Sequence, residues 1–319
     1  MIFQPLQYHN IIIPARGLTG HPGRGIIELE KEEIRMCGIA GAFGGGILDE
    51  RERRAVAAMW RASEARGRDA AGLFGFDYRG QGCMVRRIGR ASDMIDARIR
   101  RYGDAFKLPN AVVLVCHTRL ASMGDKTDIK NAHPFRHGNV VGMHNGTVPN
   151  ARDFVDPSRL CGGTDSEAII LALAERAVND PLDAEMVSEV CGKLDGSFAL
   201  ALADLRAPHR LFLVGSPMAW VLAGHTVFFA STMSILARGL TEGGIKIRPK
   251  DLDNLDPFGG QGIMLTARDD AGIDIEWFDV PRVRRYPIHP IWWDNPTDTD
   301  GPRQRCFPLL GGGRGRVEW

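Results

Sequence analysis

The sequence lacks the features that mark membrane, secreted and nucleic-acid-binding proteins. Its 319 residues contain no apolar run near the roughly 20 residues that a membrane-spanning helix needs. Its net charge of +1 gives no reason to expect nucleic acid or an acidic membrane as a partner. The first 35 residues have no apolar core with a small-residue cleavage site, as a secretory signal would. These absences predict a cytoplasmic protein with no nucleic-acid partner and no membrane partner.

Cysteines are few and widely spaced. The six cysteines form no CxxC pair and no Cys/His pair at metal-ligand spacing. In a chain of this length the pattern indicates reduced thiols, most of them small buried hydrophobes, and not a disulfide framework. No GxGxxG or GxxxxGKS/T motif opens a predicted helix. We therefore expect no metal and no cofactor.

The pattern of apolar and turn residues predicts an α+β fold. The composition is that of a globular protein, with 44% hydrophobic and 25% charged residues. Strands grouped with strands favour a layered sandwich over alternating βαβ units. The predicted strands cover residues 37–44, 71–77, 111–117, 139–144, 198–204, 211–214, 220–223 and 227–230. The predicted helices cover residues 49–65, 168–178 and 184–194.

Two helices carry additional signals in the sequence. The first places Val56, Met59, Trp60 and Ser63 on one face, and Gly67 lies just beyond its end. The helix over 168–178 is preceded by Thr164-Asp165-Ser166-Glu167, a pattern typical of a capping box.

Cys37 is the candidate nucleophile, in the segment Met36-Cys37-Gly38-Ile39-Ala40-Gly41. A cysteine at an N-terminus combines a thiol with an α-amine whose unperturbed pKa is about 7.7–8.0, so one residue supplies both nucleophile and base. Thirty-six residues precede Cys37 in this sequence, and the amine is then part of a peptide bond. The alternative is a core cysteine on a buried strand.

Five other segments accompany Cys37. They are Arg66-Gly67-Arg68-Asp69-Ala70-Ala71-Gly72, residues 117–122 (HTRLAS), Asn131-Ala132-His133-Pro134, His144-Asn145-Gly146 and Gly163-Thr164-Asp165-Ser166-Glu167. Their order and spacing resemble the glutaminase domain of class II glutamine amidotransferases, which are N-terminal-nucleophile hydrolases. The likeness covers residues 37 to about 240 and is to the domains of glucosamine-6-phosphate synthase and amidophosphoribosyltransferase. It implies a four-layer αββα sandwich of two mainly antiparallel sheets.

The resemblance assigns the chemistry to three residues. Cys37 would attack the carboxamide of L-glutamine, form a thioester and release ammonia. Asn145 and Gly146 would form the oxyanion hole, with a side-chain N–H and a backbone N–H. The alternative for Asn145 and Gly146 is a hairpin turn, since Asn-Gly is a common turn pair.

The resemblance also assigns substrate recognition. Arg119 would bind the α-carboxylate of glutamine, with Ser122 as a second hydrogen-bonding group, and Asp165 would bind the α-ammonium group. A surface salt bridge is the alternative for Arg119, and helix capping is the alternative for Asp165 unless Thr164 caps instead. Leu120 and Met123 stand where related domains have tryptophan and histidine, which weakens the expected glutamine contacts.

The remaining motif residues are expected to support the site. Arg66 and Asp69 match positions near the nucleophile, with an ordinary helix end at Gly67 as the alternative. His133 and His144 match motif positions and are interpreted as structural.

The sequence divides into a leader (1–36), a glutaminase domain (37–280) and a tail (281–319) rich in Pro, Gly and Trp. The leader is a propeptide or a start-site artefact, with Met36 as the true start. The tail is a surface strap or a docking segment. We expect the ammonia to pass to a separate synthase or ligase, because few residues follow the glutaminase domain. A hydrolase of another amide and a non-catalytic glutamine-binding protein stay open as alternatives.

Overall fold

A computed structural model describes residues 36–95, 108, 110–255, 260–281 and 316–318. Of the predicted leader only Met36 falls within these ranges, and of the tail only residues 281 and 316–318 do. Within the described ranges, every helix is too short or too polar to cross a bilayer.

The described chain forms strands and helices in alternating groups. The strands are β1 (Gly38–Gly44), β2 (Ala70–Phe76), β3 (Gly82–Ile88), β4 (Val113–Arg119), β5 (Phe135–His137), β6 (Val140–Thr147), β7 (Ser197–Asp204), β8 (Arg210–Gly215), β9 (Ala219–Ala223), β10 (Thr226–Ala230), β11 (Asp253–Asn254), β12 (Gln261–Ala267), β13 (Ile273–Asp279) and β14 (Arg316–Glu318). The α-helices are α1 (Glu50–Ala62), α2 (Ser92–Ile95), α3 (Asp165–Arg176), α4 (Ala184–Gly192) and α5 (Met233–Gly243).

These strands build two antiparallel sheets. The first sheet has the spatial order β11-β9-β10-β1-β4-β2-β3-β14, and the second has the order β13-β12-β8-β7-β6-β5. In the first sheet β1 lies between β4 and β10, with Gly38 opposite Thr118 and Ala40 opposite Ala230. The start of β1 therefore lies beside the end of β4 and the end of β10.

Apolar side chains between the sheets and outside them make four layers. Phe43, Phe74 and Phe229 of the first sheet and Leu213 of the second belong to one buried cluster between the sheets. Helices α1 and α5 cover the outer face of the first sheet. Helices α3 and α4 cover the outer face of the second. The α+β prediction and the four-layer αββα arrangement are confirmed.

Helix α1 follows its predicted pattern closely. Asp49 is the N-cap and forms a capping box with Glu52, because each side chain accepts a hydrogen bond from the other residue's backbone N–H. The predicted apolar face is buried, and Ser63, at its end, begins a short 3₁₀ turn. Gly67 lies just beyond this turn, as predicted, but its φ is not in the positive range of a left-handed helix cap. A side chain there would lie 2.5 Å from the carbonyl carbon of Arg119, so glycine permits close approach of β4.

Helix α5 was missed because its sequence contains glycines. Gly239 and Gly243 lower helix propensity, but both face α1. A Cβ on Gly239 would lie 2.0 Å from Cγ of Met59. Tertiary packing therefore requires the residues that local propensity disfavours. Strands β3, β12 and β13 were also missed, and β4 begins two residues later than predicted.

Candidate active site

Cys37 lies immediately before β1, against the loop that follows β4. Its sulfur is 3.4 Å from both the backbone nitrogen and the carbonyl oxygen of Leu120. Arg66 donates from Nε to the carbonyl oxygen of Cys37 over 2.9 Å. These contacts fix Cys37 through its side chain and through its backbone, and part of the residue stays exposed to solvent.

The surroundings keep the Cys37 thiol protonated. Burial raises its pKa to about 11, and the nearby carboxylate of Asp165 raises it further. The Leu120 N–H and the positive charges of Arg119 and Arg66 act in the opposite direction. Because burial prevails, the sulfur is a weak nucleophile at neutral pH until a base removes its proton.

Arg119 is the last residue of β4 and is buried, with 3% of its surface exposed. Its guanidinium donates to the carbonyl oxygens of Met123 at 2.5 Å and Asp125 at 3.4 Å. The surface salt bridge considered as an alternative is therefore wrong. The loop after β4 curls around the guanidinium and holds it next to Cys37.

Asp165 is the first residue of α3 and is almost fully buried. The N-cap is Thr164, whose hydroxyl accepts from the N–H of Glu167 over 3.3 Å. The Asp165 carboxylate instead accepts from the N–H of Val148 at 2.8 Å and of Ser166 at 2.9 Å. Capping is thus performed by Thr164. The reciprocal half of the predicted capping box is absent, because the Glu167 carboxylate binds other backbone groups.

Asn145 and Gly146 lie inside β6, so the hairpin-turn alternative is wrong. They pair with Ala199 and Phe198 of β7. Gly146 has φ +147°, and a Cβ there would lie 2.1 Å from the carbonyl oxygen of Ser197. The glycine is required by the close approach of β7 and by its backbone conformation.

The Asn145 carboxamide is linked to the strand that carries Cys37. Its Nδ2 donates to Oγ of Ser231 over 3.3 Å, and the same Oγ accepts from the N–H of Ile39 at 2.8 Å. Asn145 Oδ1 is buried without a hydrogen-bond partner in the described chain. Ser231 was not identified from the sequence, where a serine after a strand carries no signal.

Asp69 supports the loop after β4. Its N–H donates to the carbonyl oxygen of Arg119 at 2.9 Å, and its Oδ2 accepts from the N–H of Ala121 at 2.9 Å. Ser122 is exposed on the same loop and, within the described ranges, has no hydrogen bond to the other candidate residues. The structure therefore brings Cys37, Arg66, Asp69 and Arg119 together but leaves Ser122 outside this set of contacts.

A cluster of three buried histidines, His117, His133 and His144, lies next to these residues. The rings of His117 and His133 have centroids 3.9 Å apart. His144 pairs through Nδ1 with Oγ of Ser166 at 2.8 Å, and Nε2 of His117 lies 3.1 Å from the carbonyl oxygen of His144. Burial lowers the pKa of all three, for His117 to about 3. The histidines are therefore neutral.

The arrangement combines groups of complementary chemistry. A thiol lies beside a buried guanidinium, and a buried carboxylate acts electrostatically on both. A buried cation and a buried anion near the same thiol are suited to bind the α-carboxylate and α-ammonium groups of an amino acid. Among the described residues no group of His, Cys, Asp and Glu has the geometry to hold a metal ion. The catalytic and binding roles of the individual residues stay predictions.

Residues 117–238 match the protein family described as "Glutamine amidotransferase domain". The glutamine–fructose-6-phosphate aminotransferase (isomerizing) of Zymomonas mobilis is 35% identical over 192 residues, which make up 57% of this chain and 29% of that protein. The enzyme of the same name from Aliivibrio fischeri is 27% identical over 198 residues, with the same shares. The chain thus spans less than a third of the length of these relatives.

A solved structure shares the fold. The glutamine phosphoribosylpyrophosphate amidotransferase of B. subtilis superposes with a TM-score of 0.50 at 16% identity, over 75% of this chain and 49% of that chain. At this identity the likeness shows the fold alone.

Proposed function

We propose that this chain, in which residues 117–238 match the glutamine amidotransferase domain, is of class II and hydrolyses L-glutamine to glutamate and ammonia through a thioester on Cys37. The observation that carries the proposal is the position of the Cys37 sulfur, 3.4 Å from the residue that follows Arg119. A nucleophile is thereby fixed next to a buried cation that suits a substrate carboxylate.

The proposed reaction has two stages. The Cys37 sulfur attacks the carboxamide carbon, and the tetrahedral oxyanion accepts hydrogen bonds from Asn145 Nδ2 and the N–H of Gly146. The C–N bond then breaks, the leaving nitrogen takes the proton that came from the thiol, and ammonia departs. Water attacks the resulting thioester, and the C–S bond breaks to give glutamate and the free thiol.

The α-amine of Cys37 is the proposed base. With a pKa of about 11, only roughly 0.03% of the thiol is ionised at pH 7.5, so the sulfur needs a proton acceptor. An N-terminal amine, with an unperturbed pKa of about 7.7–8.0, belongs to the same residue as the thiol and can accept its proton. The proposal therefore requires that the peptide bond between Met36 and Cys37 be absent in the working protein.

Three residues are proposed to recognise the amino acid. Arg119 binds the α-carboxylate, assisted by the exposed hydroxyl of Ser122 once glutamine is present. Asp165 binds the α-ammonium group. Arg66 and Asp69 keep the Cys37 carbonyl and the loop after β4 in place through the contacts described above.

The ammonia is proposed to serve a separate synthase or ligase. The named relatives are glutamine–fructose-6-phosphate aminotransferases, and the matching region occupies 29% of their length. For this chain we propose an acceptor site outside residues 37–280.

The test combines mass spectrometry with a glutaminase assay. Intact mass reports whether the purified chain begins at Cys37, and released ammonia is measured with Cys37→Ala and with Cys161→Ala as the matched control. Cys161 is an exposed cysteine, and its replacement is expected to leave hydrolysis unchanged. Alanine, like cysteine, is small, so the Cys37→Ala substitution should not change whether Met36 is removed.

The outcomes separate the proposal from its alternatives. We expect glutamine-dependent ammonia release that disappears in Cys37→Ala. Equal activity in Cys37→Ala and the unsubstituted protein would refute the nucleophile assignment. Glutamine binding without hydrolysis, in a chain that begins at Cys37, would favour a non-catalytic glutamine-binding protein.

A further inference from the structure

Asn131 connects the two loops that carry the charged residues of the site. Its side chain is buried, with 3% of the residue exposed. Nδ2 donates to the carbonyl oxygen of Asp125 over 3.0 Å, and Oδ1 accepts from the N–H of Gly163 over 2.8 Å. One carboxamide therefore bridges the loop after β4 and the loop before α3.

Each end of this bridge leads directly to a charged residue of the site. The Asp125 carbonyl oxygen that accepts from Asn131 also accepts from the guanidinium of Arg119 at 3.4 Å. Gly163 is followed by the N-cap residue and then by Asp165. The side chain of Asn131 is thus linked to Arg119 through a shared carbonyl oxygen and to Asp165 through the backbone that precedes it.

Both loops make room for the Asn131 side chain with glycine. A Cβ on Gly124 would lie 2.8 Å from Cγ of Asn131, and a Cβ on Gly162 would lie 2.6 Å from its Oδ1. Contacts this short are not found for real Cβ atoms, so any larger residue at either position displaces the bridge or the loop. The fit is tight on both sides.

The loop before α3 has its backbone donors already engaged. Glu167 accepts from the N–H of Cys161 at 2.8 Å and of Gly162 at 2.7 Å, and Asn131 accepts from the next N–H, that of Gly163. Three consecutive N–H groups could otherwise form an anion site. Here they fix the loop in one conformation.

We propose that Asn131 is a positioning residue that sets the separation of Arg119 and Asp165 and thereby the affinity for the α-amino-acid part of the substrate. The inference rests on the proposed glutaminase function. It assigns Asn131 no contact with the reacting atoms. Its loss should therefore affect binding of glutamine and leave the chemistry on Cys37 largely intact.

The test uses the full-length protein with Asn131→Ala and Asn131→Asp. Asp has the same volume and still accepts from Gly163, but it has no N–H for the carbonyl oxygen of Asp125. We expect both variants to raise KM for glutamine roughly 10- to 100-fold, because the charge-assisted hydrogen bonds of Arg119 and Asp165 to the substrate are weakened when the two groups lose their spacing. We expect kcat to stay within about threefold, because uniform binding and not transition-state binding is lost.

Asn150→Ala is the matched control. Asn150 also bridges two backbone groups, accepting from the N–H of Asp195 at 2.8 Å and donating to the carbonyl oxygen of Lys193 at 3.0 Å. It serves the loop before β7 instead of the substrate loops. We expect Asn150→Ala to change KM by less than about twofold, so a KM effect confined to Asn131 is not a general cost of losing a bridging carboxamide.

The measured KM and activity distinguish a failure of the Asn131 proposal from a failure of the proposed glutaminase function. An unchanged KM in Asn131→Ala, or full recovery in Asn131→Asp, overturns the inference while hydrolysis itself persists. If Asn131→Ala does not fold, the isosteric Asn131→Asp carries the test. A protein that begins at Cys37 and neither hydrolyses nor binds glutamine overturns the proposed function and this inference together.

Discussion

The three neutral histidines near the site predict a stability that falls as the solution becomes acidic. An unfolded histidine has a pKa of about 6.5, so at pH 5.5 about nine-tenths of the unfolded molecules carry its proton. In the folded protein burial holds the pKa of His117 at about 3, and burial holds that of His133 well below its usual range. The unfolded state thus binds more protons below pH 6.5, and the free energy of unfolding decreases there.

The size of this effect follows from the number of protons taken up. Each histidine that takes up a proton on unfolding lowers the free energy of unfolding by roughly 1 kcal/mol per pH unit between about pH 6 and 5. The stability that the neutral histidines contribute is complete above pH 6.5 and declines as the pH falls toward their folded pKa values.

His133→Phe isolates one histidine of the cluster. Neither ring nitrogen of His133 has a hydrogen-bond partner in the described chain, and the ring packs against His117 and Phe135 at centroid distances of 3.9 and 4.8 Å. A phenyl ring removes the titrating group without leaving a cavity. We expect equal or higher stability at pH 7.5, since burying an unpaired polar group is costly, and a pH slope smaller by roughly 1 kcal/mol per pH unit.

The measurement is urea unfolding at pH 7.5, 6.5, 6.0, 5.5 and 5.0, followed by tryptophan fluorescence and circular dichroism. His225→Gln serves as the control, because it removes one histidine from an exposed position on the turn between β9 and β10 and leaves the buried cluster intact. An identical slope for His133→Phe and the unsubstituted protein would refute the reasoning. It would mean that His133 is protonated equally in both states.

Two further substitutions examine the proposed oxyanion hole. Gly146→Ala should abolish most glutamine hydrolysis and destabilise the fold by roughly 2 kcal/mol or more, because its Cβ would lie 2.1 Å from the Ser197 carbonyl oxygen. Gly138→Ala is its control: φ there is also positive, but nothing lies within 4 Å of the added Cβ, so only the smaller cost of about 1 kcal/mol for strain is expected in urea unfolding. Ser231→Ala should lower kcat by roughly tenfold with little change in KM, because the Asn145 carboxamide loses the hydroxyl that orients it. Steady-state kinetics showing an unchanged kcat would contradict that role.

The sequence predicted the elements whose residues obey a local rule. Helix α1 has a capping box, an apolar face and no internal glycine, so its pattern and its packing agree. Strands β7 and β10 are continuous apolar runs buried on both faces, and they lie within one residue of their predicted bounds. Where local preference and tertiary packing agree, a single sequence is enough to locate the element.

The alternatives that the structure argues against lie where a tertiary contact overrides a local preference. Asn145-Gly146 reads as a turn, yet β6 continues through it because β7 pairs along its whole length. Gly67 suggests a helix cap by its place after α1, yet its lack of a side chain is what allows the backbone of Arg119 to approach closely. In both cases the glycine serves the partner strand and not its own segment, and nothing in the local sequence distinguishes these uses.

The same distinction applies to the residues of the site. Ser231 and Asn131 act through residues distant in sequence, Ser231 on Asn145 and Ile39, and Asn131 on two loops. Ser231 lies outside the motif segments, and the segment that contains Asn131 assigned this residue no role of its own. Only the pairing of β1 with β10 and the meeting of the loops give the two side chains their partners. The motif segments thus contain some of the groups that hold the site in place, such as Arg66 and Asp69, but they do not contain Ser231.

Cys37 shows how the structure changes a prediction that the sequence had already made. The sequence suggested that a terminal amine would assist the thiol, but an exposed cysteine is a few per cent ionised at neutral pH without assistance. Burial raises the pKa of Cys37 to about 11, so the unaided sulfur is far less reactive than an exposed one. For the proposed mechanism, the burial that raises this pKa makes a free α-amine more important than the sequence alone suggested. Under that proposal an intact Met36–Cys37 bond would leave the thiol without its base, and a free amine at Cys37 would supply one.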